Sequence, residues 1–123
     1  MEAAFGYRGV PTSVSTARRD AQLFIAPLPI STEHALIVVS ELLSNAVRHG
    51  TEPISLRLAW DGRALRIEVS DADPRVERVT KPPPPSPDIE HGRGLALTDH
   101  LAASWGAHEA RDGRGKTVWA TIV

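Results

Sequence analysis

The sequence predicts an α+β sandwich, with helices layered on one face of a sheet. Two helical periodicities come first, at Val14 to Leu28 and Leu36 to Val47. A strict alternation from Ile54 to Ser70 then folds about Asp61-Gly62, a strong hairpin signal. A short helical stretch and a second strand–turn–strand follow. This order of helices, hairpin, helix and hairpin suits two layers around one core.

Taken in order, Phe5 and Tyr7 alternate with Ala4 and Gly6 and suggest a short edge strand. Pro11-Thr12-Ser13 offers capping residues for a first helix carrying Val14, Ala17, Ala21, Phe24, Ile25 and Leu28, which Pro27 and Pro29 end. Ser31 and Thr32 cap a second helix running to about His49, with Gly50 as its stop. Its apolar stripe is Leu36, Val39, Leu43, Ala46 and Val47. Ile54, Leu56, Leu58 and Trp60 define one strand, and Leu65, Ile67 and Val69 the return strand. Ala72 to His91 keeps no period, and five of the ten prolines fall between Pro82 and Pro87. A loop that long is usually a functional lid or a disordered segment. Gly92 and Gly94 precede a short helix with Leu97 and Leu101 on one side. Trp105–Ala110 and Thr117–Val123 read as strands joined by a turn at Asp112–Gly115.

The 123 residues suit one domain, residues 1–123, and bury enough surface to need no disulfide or metal. The absence of cysteine excludes a disulfide scaffold, a thiolate zinc site and a cysteine nucleophile. A net charge of −1 argues against nucleic-acid or anionic-membrane binding by bulk charge. No apolar run reaches membrane-span length, so a cytoplasmic protein is expected.

Three features bear chemistry. Glu41, Asn45 and His49 stack at i, i+4 and i+8 beside the apolar stripe. Such a row either holds a metal or water, or is a solvated helix face. Asp71 continues the inward phase of Leu65, Ile67 and Val69, and a carboxylate on a core face needs donors or a ligand. Otherwise the strand stops at Ser70 and Asp71 opens the turn. Gly92-Arg93-Gly94 ahead of a helix suits a phosphate or is an ordinary turn.

The order of these features is telling. Glu41-Leu-Leu-Ser-Asn45-Ala-Val-Arg-His49-Gly50 resembles the N box of the GHKL ATPases. Asp71-Ala72-Asp73 resembles their G1 box, Gly92-Arg93-Gly94-Leu95 the G2 box, and Gly115-Lys116-Thr117-Val118-Trp119 the terminal Thr-bearing box. The pattern is most similar to the small anti-sigma factor serine kinases of RsbW and SpoIIAB type.

That resemblance implies a Bergerat fold with a mixed, mostly antiparallel sheet and an ATP lid at about 72–91. It implies that Asn45 coordinates Mg²⁺ on the ATP phosphates and that Glu41 orients or deprotonates the attacking hydroxyl. Asp71 would accept from the adenine amino group, with Thr117 supporting the pocket beside it. His49, Asp73, Gly92, Arg93, Gly94 and Leu95 complete the implied nucleotide site. The implied partners are ATP or ADP, a sigma factor and a STAS-type anti-sigma-factor antagonist; a homodimer stays open, and neither nucleic acid nor membrane is engaged directly. The chain departs from the pattern twice. Asp73 stands where the G1 box usually has glycine, and Glu90 where the kinases have an arginine. ATP binding is therefore better supported than phosphoryl transfer. A non-catalytic nucleotide-binding module is the second reading, and a detached histidine-kinase ATPase domain the third.

Overall fold

In a computed structural model of the chain, residues 1–75, 90–110 and 113–123 are described, with the backbone alone for 90–94. The elements run β1 (Glu2–Tyr7), α1 (Thr12–Ile25), α2 (Thr32–His49), β2 (Ile54–Trp60), β3 (Leu65–Asp71), α3 (Glu90–Leu101), β4 (Ser104–Glu109) and β5 (Lys116–Ile122). The strands form one sheet in the order β1-β2-β3-β5-β4. All four pairings are antiparallel, so among the described strands the sheet has no parallel pair where a mixed one was expected.

The two long helices start differently. Ser31 accepts a hydrogen bond from the His34 N–H at 3.2 Å, which caps α2 as its sequence predicts. At α1 the expected side-chain cap is missing: Pro11 occupies the cap position, and Ser13 Oγ donates back to the Arg8 carbonyl at 2.7 Å. Between β2 and β3, Asp61 Oδ1 accepts from the backbone N–H groups of Arg63 and Ala64, and Gly62 adopts φ +97°. That positive φ is the reason for glycine in this turn.

The core lies between the helices and one face of the sheet. Ala17, Ala21 and Ile25 of α1 and Val38, Val39, Leu42 and Leu43 of α2 pack over Leu56, Leu58, Ile67, Val69, Val118 and Ala120. Strand residues between these point to the other face. There Arg57 pairs with Glu2 at 2.7 Å, and Arg66 stacks over the Trp119 ring at 4.5 Å. Trp105 packs on the margin of the core and donates from Nε1 to Asp99 Oδ1.

Helix α3 begins at Glu90, so Gly92 and Gly94 lie in its first turn rather than ahead of it. The lid expected at 72–91 falls mostly on residues 76–89, which lie outside the described residues. No helix among the described residues is long and apolar enough to cross a membrane.

Topology positions the site. The chain leaves β3, returns through α3 to the far edge strand β4, and ends on β5 between them. The end of β3 therefore lies against the start of β5, with Asp71 directly opposite Lys116.

Candidate functional site

Asp71 is the last residue of β3, and its side chain keeps the inward phase of Val69. It is buried, so the reading in which the strand stops short of it does not hold. Two donors meet the same oxygen. Asp71 Oδ1 accepts from the Asp73 backbone N–H at 2.8 Å and from Lys116 Nζ at 3.0 Å. Lys116 Nζ also lies 3.4 Å from the Asp73 carbonyl. Both charged side chains are only 3% exposed. The other oxygen, Oδ2, meets no donor among the described residues.

Two glycines make room for this carboxylate. A Cβ at Gly50 would stand 2.6 Å from Asp71 Cγ and 2.7 Å from both Asp71 Oδ2 and the Ala46 carbonyl. The backbone of Gly50 has φ −94°, ordinary for any residue, so space and not conformation requires glycine there. A Cβ at Gly115 would fall 1.9 Å from the Asp71 carbonyl oxygen. The Ala72 N–H donates to the Thr51 carbonyl at 2.8 Å, which ties the end of β3 to the chain just beyond α2.

That junction brings Asp71 to the C-terminal end of the helix bearing Glu41, Asn45 and His49. Glu41 and Asn45 are half-buried, and His49 is exposed at the last turn. Burial raises the Glu41 carboxyl above its ordinary value of 4.5, opposed by the charge of Arg48.

Asp73 is buried and bound bidentately by the Arg75 guanidinium at 2.9 Å on each oxygen. These bonds, with the Arg75 backbone N–H, hold its carboxyl well below the usual carboxylate range. Asp73 thus shapes the turn that delivers its own N–H to Asp71. Thr117 lies on the other face of the sheet, with Oγ1 2.7 Å from Ser70 Oγ. The residue beside Asp71 is Lys116. Leu95 is buried on α3; Gly92, Arg93 and Gly94 are described by their helical backbone alone.

Sequence reasoning passed over Lys116, although a signal was present. Val118, Ala120 and Ile122 alternate inward on β5, and Lys116 shares their phase. Two cavities of about 350 and 420 Å³ share Ser55, Ser70 and Ala110. Asp71, Ala72 and Gly115 also line the smaller of the two.

Comparison with known proteins bears on the family and the fold. Residues 9–122 match the histidine kinase-like ATPase domain. The chain belongs to that family. An uncharacterised protein of Streptomyces coelicolor is 38% identical over 80 residues, covering 62% of this chain and 74% of that protein. A solved structure of the RsbU and RsbW domains of Rv1364c from Mycobacterium tuberculosis overlays 99% of this chain with a TM-score of 0.72 at 18% identity. This ATPase domain spans about a third of that longer chain, 32% of its length, and the likeness is one of fold. The two-layer α+β architecture expected of a Bergerat fold is thus the one observed.

Proposed function

We propose that this histidine kinase-like ATPase domain binds ATP and acts as a regulatory protein of the anti-sigma factor type, transferring phosphate to a serine or threonine of a STAS-type antagonist. The observation that carries the nucleotide reading is Asp71: a buried carboxylate whose Oδ2 meets no donor among the described residues, beside the end of the helix that bears Glu41 and Asn45. An adenine amino group is a donor suited to that oxygen. The likeness in fold to the structure of the RsbU and RsbW domains of Rv1364c supports the anti-sigma class.

The donor set fits the ligands. Asn45 offers an amide oxygen, suited to Mg²⁺ on the phosphates, and Mg²⁺ when bound neutralises phosphate charge. Glu41, one turn earlier on the same face, accepts the proton of the incoming hydroxyl. That hydroxyl oxygen bonds to the γ-phosphorus, the bond from γ-phosphorus to the bridging oxygen breaks, and ADP leaves. Burial makes the Glu41 carboxylate a stronger base than an exposed one.

Single-turnover phosphorylation of a candidate antagonist at saturating ATP tests the catalytic part. Glu41→Ala is expected to leave ADP binding nearly intact and slow transfer by roughly 10²–10⁴-fold. Transfer at the unmutated rate would remove Glu41 from the mechanism. A second reading is favoured by Glu90, an acid where the kinases carry an arginine: a nucleotide-binding module that signals without transfer. Binding of ATP with no modification of any co-purified partner selects it.

A further inference from the structure

Lys116 is a buried cation with no part in the function described above. Burying an ammonium and a carboxylate together is expensive, and an apolar pair of the same volume is often as stable or more so. The pair at Asp71 and Lys116 therefore points to a task beyond holding two strands together, since their backbones already pair in register.

The geometry assigns that task. The Asp73 N–H and Lys116 Nζ both reach Oδ1, at 2.8 and 3.0 Å, and no donor among the described residues reaches Oδ2. The final torsion of an aspartate is soft and nearly two-fold, so a carboxylate held by one bond turns readily. A second, charge-assisted bond to the same oxygen fixes the plane. Gly50 keeps the space beside Oδ2 clear of a Cβ.

We propose that Lys116 is a positioning residue for base recognition: by holding Oδ1 of Asp71, it leaves Oδ2 as the acceptor presented to the exocyclic amino group of a 6-aminopurine. This rests on the nucleotide reading above. A 6-oxopurine places a carbonyl oxygen where that amino group would be, and two acceptors then face each other. Lys116 acts on selectivity through Asp71 and does not touch the base.

The test is calorimetric titration with Mg-ATP and Mg-GTP, read as the ratio of the two dissociation constants. The unmutated chain should prefer ATP. Lys116→Met, of similar length but without the donor, should reduce that preference about tenfold, the worth of one ordinary hydrogen bond. Lys116→Arg, which keeps a charged donor, should restore most of it. An unchanged ratio in a folded Lys116→Met variant overturns the proposal. If Lys116→Met fails to fold, the doubly neutral Asp71→Asn/Lys116→Met variant removes the unpaired charge and is compared with Asp71→Asn alone. Equal ratios in those two support action through Asp71; a further drop in the double variant means Lys116 contacts the base itself and overturns it. Failure of the unmutated chain to bind ATP at all sinks the nucleotide reading, and this proposal with it.

Discussion

Gly50 shows how far a single position can be read from sequence. Its place after a polar helix end marks it as a helix stop. Its backbone is ordinary, however, and what it provides is room for the Asp71 carboxylate and the Ala46 carbonyl. Contacts between elements distant in the chain are invisible to local pattern. Gly50→Ala should cost about 1–3 kcal/mol in urea unfolding, because Ala46 contributes backbone that cannot swing aside. The same variant should weaken nucleotide binding by displacing Asp71. Lys116 is the converse case: its inward phase was legible, but its partner was set by strand register. For Glu41 the pH dependence has a definite sign. Its raised value means the fold favours the protonated form. That stabilisation is present below the ordinary value of 4.5 and is lost as pH rises through the folded value. Glu41→Gln should therefore lose less stability than the unmutated chain between mildly acidic and neutral pH. Denaturant titrations across that range read the difference, and parallel pH profiles for the two chains would contradict it.

At the scale of elements, the amphipathic patterns were decisive wherever one face is buried. The α2 stripe and the alternations of β2, β3 and β5 all face the core as their periods require. Leu43 is fully buried in that layer, so Leu43→Ala should cost about 2–5 kcal/mol. Ser31→Ala removes the bond to the His34 N–H and should cost about 1 kcal/mol, a melting-temperature drop of about 4 °C. Local pattern misled at two helix starts. The hydroxyl near the start of α1 turns back to Arg8 instead of capping. Helix α3 begins ahead of its glycines, although each disfavours helix by about 1 kcal/mol relative to alanine. Packing of α3 against α2 is the tertiary contact that outweighs that preference.

Over the whole molecule, the layered α+β class followed from element order, and strand order then set which strand ends adjoin. Asp71 on β3 and Lys116 on β5 meet because β5 inserts beside β3, and Thr51 ties the end of β3 to the exit of α2, the helix that bears Glu41 and Asn45. The motif order was legible in the sequence, whereas the division of labour between the two oxygens of Asp71 needed three-dimensional packing. Nucleotide binding should slow amide exchange at residues 45–50 and 71–75, which frame the site, while the β1–β2 edge stays unchanged. Calorimetric titration of the unmutated chain with Mg-ATP and Mg-GTP tests the central claim most directly. The account predicts one ATP per chain, weaker binding when Mg²⁺ is chelated, and a clear preference over GTP. No binding of ATP would contradict the nucleotide site, and equal affinity for the two nucleotides would contradict the assignment of Asp71 to adenine.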